Sequence, residues 1–143
     1  MKIKIITVGT PHLSFARQGI DEYLKRLQRF ADVTMIHIKE NKKTTQKLLD
    51  TIGRDYCVLL DENGREYTSR ELSVFLDKTK NTYASISFVI GGPDGHVDEI
   101  RNRGDVQISL SRLTLPHDLA MLFLCETLYR SHTISAGHPY HRD

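Results

Sequence analysis

Ala84-Ser85-Ile86-Ser87-Phe88-Val89-Ile90-Gly91-Gly92-Pro93-Asp94-Gly95 is the stretch on which the reading of this chain turns. A short apolar run closed by glycine and proline predicts a buried strand over 84–90. The glycine pair after it leaves no Cβ in the way of a ligand that approaches the backbone. Two later segments are equally particular. Leu110-Ser111-Arg112-Leu113-Thr114-Leu115-Pro116 feeds a helix, and Gly137-His138-Pro139-Tyr140-His141-Arg142 forms a polar, histidine-bearing tail. Two ligand-facing loops and a tail of titratable groups point to an enzyme site.

Upstream of this stretch, apolar runs alternate with helical patterns. Lys2–Val8 predicts a strand, and Phe15, Ile20, Tyr23, Leu24, Leu27 and Phe30 fall at the spacing of an amphipathic helix. A strand over 33–38, a polar lysine-rich stretch over 39–46, a short helix over 47–52 and a strand over 55–60 follow. Asp61-Glu62-Asn63-Gly64 carries turn chemistry, and Thr68 with Glu71 has capping-box spacing ahead of a third helix. Downstream, 97–102 predicts a short helix at best, 105–110 a last strand, and 116–131 the closing helix. Strict alternation of strand and helix predicts an α/β fold, a parallel-rich sheet with helices on its faces. In such sheets ligands bind at the carboxyl ends of the strands. Leu60-Asp61, Gly91-Gly92 and the segment Leu110 to Leu115 all stand at or just after strand ends.

The 143 residues suit one domain over 1–143, with a single continuous core. Cys57 and Cys125 lie within apolar runs, as small buried hydrophobes of a reducing compartment, so a cytoplasmic location is expected. No run approaches a membrane span and the start lacks a signal-peptide pattern, so a soluble, unprocessed protein is expected. The net charge is only +2, so any nucleic-acid surface must be local. Lys39, Lys42, Lys43 and Lys47 cluster, and Arg17, Lys25, Arg26 and Arg29 lie along the first helix, although such runs are usually solvated faces. Arg130, Arg142 and Tyr140, a ring able to stack on a base, make the tail the more suggestive group.

Several chemistries are disfavoured. The glycine loop has neither the Gly-Lys-Ser/Thr ending of a P-loop nor a dinucleotide fingerprint. No nucleophile elbow is present, and His138 and His141 lack the four-ligand set of a structural zinc site. His12, His37 and His96 read as surface or strand-face residues with no assigned role, and His117 and His132 border the last helix ambiguously.

Together, Leu60-Asp61, the glycine loop, Leu110 to His117, Leu128-Tyr129-Arg130 and the Pro-Tyr-His tail closely resemble the ribosomal large subunit methyltransferase H family, over nearly the whole chain. That family belongs to the SPOUT methyltransferases. The resemblance implies a C-terminal trefoil knot, a homodimer, and methyl transfer from S-adenosylmethionine to N3 of a pseudouridine in large-subunit rRNA of assembled ribosomes, without metal. It implies a cofactor site of Leu60, Gly91, Leu110, Ser111, Arg112, Leu113, Thr114 and Leu115. His138 and His141 are then candidate bases, Tyr140 a stacking or orienting group, and Arg130 and Arg142 contacts to phosphate or to a developing imide anion. Two other readings stay open: a non-catalytic RNA-binding module on the same fold, and a nucleotide-binding oxidoreductase.

Overall fold

The computed structural model describes residues 1–142. Five strands form one all-parallel sheet in the order β2-β1-β4-β3-β5. The strands are β1 (Lys2–Val8), β2 (Asp32–Ile38), β3 (Tyr56–Glu66), β4 (Ser85–Ile90) and β5 (Val106–Ser109). The helices are α1 (Ser14–Leu27), α2 (Thr44–Ile52), α3 (Ser69–Thr82), α4 (Asp98–Arg103) and α5 (His117–Ser135). The strand-helix alternation read from the sequence is therefore the observed α/β architecture.

Alternation along the central strands builds two cores. Ile3 and Ile5 of β1, Val58 of β3 and Ile86 and Phe88 of β4 face one side, where Leu27 of α1, Leu76 of α3 and Met121, Leu124 and Leu128 of α5 cover them. Ile6, Cys57, Leu59 and Val89 face the other, under Leu48 and Ile52 of α2 and Ile100 of α4. Strands covered on both faces read as near-continuous apolar runs, which is why β1 and β4 are so plain in the sequence. Burial pushes the thiols of Cys57 and Cys125 up to about 11 and about 12, so both are protonated packing groups at neutral pH. His132 is also core: its Nδ1–H donates to the Leu128 carbonyl at 2.7 Å, and burial holds its pKa below the usual value.

β3 departs from expectation. Asp61-Glu62-Asn63-Gly64 does not end the strand as a simple turn; the chain bulges and then pairs again with β5, Arg65 with Ile108 and Glu66 with Ser109. The reason lies at Gly64, where a Cβ would sit 2.7 Å from the Gln107 backbone, so only glycine lets the bulge close on β5. Helix α2 begins three residues before its expected start. Helix α5 runs past 131 to Ser135, where the Ser135 hydroxyl donates to Asp77 and, with Ser73, pins the last turn to α3.

The capping box that starts α3 is formed. Thr68 Oγ1 accepts from Glu71 N–H at 3.1 Å and Glu71 Oε1 accepts from Thr68 N–H at 2.8 Å. Thr68→Ala should cost about 1 kcal/mol in urea unfolding, with an unchanged m-value.

Candidate active site

All five strands point the same way, so their carboxyl ends share one edge of the sheet. The bulge at 60–63 within β3 and the loops after β4 and β5 meet there, together with the start of α5, around an open cleft of about 440 Å³. That volume lies within the range of small-molecule sites. The walls are apolar where Leu60, Ile90, Leu110, Leu113 and Leu115 stand, and Asp61, Glu62 and Asp94 add carboxylates.

Short bonds tie the cleft's loops together. A Cβ on Gly91 would lie 3.2 Å from both the Gly95 carbonyl group and His96 Nδ1, so the turn after β4 folds tightly over its own glycine. This brings His96 back across the cleft, where its Nε2–H donates to the Leu60 carbonyl at 2.9 Å. Arg101 of α4 pairs with Asp61 at 2.9 Å and also donates to the His96 carbonyl. The Asp61 carboxyl is held below its usual range, first by the Asn63 N–H and then by Arg101. On the far side Thr114 Oγ1 donates to Glu62 at 3.3 Å, and Ser111 Oγ accepts from Leu113 N–H at 3.0 Å.

The amino end of α5 is fastened to the loop after β1. Buried Asp118 accepts from the backbone N–H groups of His12 and Leu13, both at 2.7 Å. Those bonds, the Leu13 N–H foremost, hold its carboxyl below the usual range. Beside it, His117 lines the cleft with a buried Nε2 that has no protein partner, and desolvation lowers its pKa.

Of the residues expected to hold a cofactor, Leu60, Gly91, Leu110, Ser111, Leu113, Thr114 and Leu115 line the cleft. Arg112 does not; it points outward and pairs with Glu66. The tail residues gather elsewhere. Arg130 Nη1 donates to His141 Nδ1 at 3.0 Å, its Nε donates to Glu126 at 2.8 Å, and its guanidinium stands 4.8 Å over the Tyr140 ring. The Tyr140 hydroxyl meets Tyr23 of α1 at 3.1 Å, and its ring packs edge-on against Tyr129. Burial, then the Tyr23 bond, pushes the Tyr140 phenol well above its ordinary pKa, which makes it a donor rather than a base. His138 is exposed, and among the described residues its one hydrogen bond runs from its backbone N–H to the Thr133 carbonyl. Arg130 lies thirteen residues past His117 on α5, roughly 20 Å along the axis at 1.5 Å per residue. Within one chain the tail and the cleft are therefore separate.

Sequence reasoning gave no role to His96, Glu62 or Arg101; it placed Asp61 at a strand end and left His117 ambiguous, and both line the cleft. The expectation that His96 is a surface or strand-face residue is corrected: it is half-buried and spans the cleft wall. Its position directly after Gly95 was the available signal. Among the described residues no group of three or more His, Cys, Asp or Glu side chains is placed to hold a metal ion, and no helix is long and apolar enough to cross a membrane.

A leucine-walled, glycine-floored cleft at the carboxyl edge of a parallel sheet is where α/β proteins bind nucleotide-like ligands. The chain belongs to the SPOUT methyltransferase family: the family model described as "Predicted SPOUT methyltransferase" matches residues 1–141. The similarity extends to particular relatives, each called ribosomal RNA large subunit methyltransferase H. That of Deinococcus radiodurans is 46% identical over 145 residues, covering 99% of both chains. That of Thermus thermophilus is 39% identical, again over 99% of both, and that of Streptococcus pneumoniae 36%, over 99% of this chain and all of the relative. A solved structure, a probable methylase family protein from Haemophilus influenzae, has a TM-score of 0.60 at 10% identity. It covers 99% of this chain and 70% of that one, a likeness of fold.

Asp118→Ala strands two backbone donors, so it should cost about 1–3 kcal/mol in urea unfolding. Because the folded Asp118 pKa is depressed, its contribution is present above the unfolded carboxylate pKa and fades as pH falls through the folded value. The difference in stability between wild type and Asp118→Asn should therefore narrow in acid.

Proposed function

We propose that this protein is an S-adenosylmethionine-dependent rRNA methyltransferase that acts on N3 of a pseudouridine in the large subunit of assembled ribosomes, in the cytoplasm. The observation that carries the reading is the cleft: seven of the eight residues that the family resemblance names for the cofactor line it. Their chemistry suits that ligand. Leucines on both sides accept a flat adenine, and backbone groups near Gly91 and Leu115 offer hydrogen bonds to its rim. The carboxylates of Glu62 and Asp94 suit a sulfonium and an ammonium. The unpartnered Nε2 of His117 is a polar contact awaiting a ligand. The reading includes the family's C-terminal trefoil knot, with Leu110 to Pro116 as its loop and α5 as the helix that passes through.

The cofactor, when bound, supplies an electrophilic methyl group. The protein's work is to hold the base in line with it and to take the N3 proton, for which a positioned base contributes about 10²–10⁴-fold. His138 and His141 are the candidate bases. Arg130 and Arg142 supply positive charge for the imide anion or a phosphate, and Tyr140 orients the base by donating or stacking.

A cleft and a tail that one chain keeps apart become one site in a homodimer. Three large apolar side chains stand exposed around the start of α1 and on α5: Leu13, Phe15 and Phe123, at 42%, 56% and 43% exposure. A two-fold pairing over these residues covers them and brings each tail to the other copy's cleft. This predicts complementation. Leu115→Arg, blocking the cleft, and Arg142→Ala, crippling the tail, should each abolish methyl transfer to ribosomes, while a mixture refolded together recovers up to a quarter of wild-type activity. No recovery from mixed dimers would contradict the shared site. His138→Ala should lower turnover by about 10²-fold or more with cofactor affinity within twofold; unchanged turnover removes it from the mechanism.

A further inference from the structure

The nine residues from Lys39 to Lys47 hold four lysines against one acid, Glu40, so this segment alone carries more positive charge than the net +2 of the whole chain. It forms the loop after β2 and the first turn of α2. Since β2 runs parallel to β4, the loop leaves by the same edge of the sheet as the cleft. It reaches the cleft's lip: a Cβ on Gly92 would stand 4.0 Å from Glu40 Oε2. The side chains of Lys39, Lys42, Lys43 and Lys47 have no ion pair or hydrogen bond among the described residues. Basic residues elsewhere around the cleft are engaged, as Arg101 is with Asp61 and Arg112 with Glu66.

The loop beneath these lysines is held by its own bonds. Thr44 Oγ1 accepts from Asn41 N–H at 2.7 Å and donates to the Lys39 carbonyl at 2.9 Å, while Asn41 Oδ1 accepts from Lys43 N–H at 2.7 Å. A pre-set loop loses little conformational freedom when it meets a partner. The carboxylates of Asp61, Glu62 and Asp94 line the cleft itself and do not favour a polyanion there.

We propose that the loop after β2 is the rRNA-backbone seat of this enzyme: Lys39, Lys42 and Lys43, with Lys47 behind them, contact phosphates flanking the target nucleotide and admit the RNA from the β2 side. The inference rests on the rRNA methyltransferase reading above and adds the surface and direction of substrate entry. Lysine contacts to phosphate fix register without reading sequence, and each adds to the salt dependence of binding.

The test compares Lys42→Glu/Lys43→Glu with Lys2→Glu/Arg54→Glu, which changes net charge equally at the opposite edge of the sheet. Glutamates beside the amino end of α2 suit the helix dipole, so the first variant should fold as well as wild type. Methyl transfer to ribosomes is measured from low to moderate salt, with S-adenosylhomocysteine affinity by calorimetry alongside. The expected result for Lys42→Glu/Lys43→Glu is a ribosome KM raised about tenfold or more at low salt. Its log–log salt slope should be shallower by roughly 0.7–0.9 per lost contact, with affinity for S-adenosylhomocysteine within twofold. The opposite-edge variant should match wild type. Wild-type KM and salt slope in the Lys42→Glu/Lys43→Glu enzyme, or an equal loss in the control, would overturn the seat while leaving the enzyme reading intact. A wild-type protein that methylates no ribosomal substrate would overturn both.

Discussion

The parallel ladder β1–β4–β3 is the constraint from which the rest follows. Its strands are covered on both faces, and Ile5, Ile6, Val58, Leu59, Ile86 and Val89 are fully buried. Full burial fixes the register, because a slip of one residue would turn every inward side chain to the wrong layer. With register fixed and all strands parallel, their ends must leave by one edge. The bulge of β3 and the loops after β4 and β5 then meet there. What those loops contribute is closure: Gly64 lets β3 bulge and rejoin β5, and the turn after Gly91 carries His96 back to the Leu60 carbonyl.

Helix α5 joins the two chemical regions. Its amino end, fixed by Asp118 to the loop after β1, forms one wall of the cleft; its carboxyl half carries Glu126 and Arg130 under the tail. The helix packs Met121, Leu124 and Leu128 into the core, yet its Phe123 faces outward. The same helix that packs the core thus carries the exposed Phe123 that the proposed two-fold pairing would cover.

Much of this was legible in the chain. The doubly covered strands announced themselves as apolar runs, and Thr68 and Glu71 formed the box that their spacing promised. That the leucines and glycines after the strands would stand at the carboxyl edge of the sheet was legible because strand ends and punctuation are local signals. The extension of β3 was hidden, since Asp61 to Gly64 reads as a turn and only the nearby Gln107 backbone explains the bulge. His96 and Arg101 act through contacts with Leu60 and Asp61, distant in sequence, which no spacing rule encodes. Arg112, grouped with the cofactor residues by its place in a motif, turned outward because Glu66 lies within reach on the resumed β3.

The central claim is that the carboxyl-edge cleft serves methyl transfer to ribosomal RNA. The most direct measurement offers labelled S-adenosylmethionine with unmethylated assembled ribosomes, separated subunits and free rRNA in parallel, then identifies the labelled nucleoside. The account predicts label in N3-methylpseudouridine, chiefly from assembled ribosomes. A folded, dimeric protein that labels none of them would contradict it and favour a non-catalytic RNA-binding role.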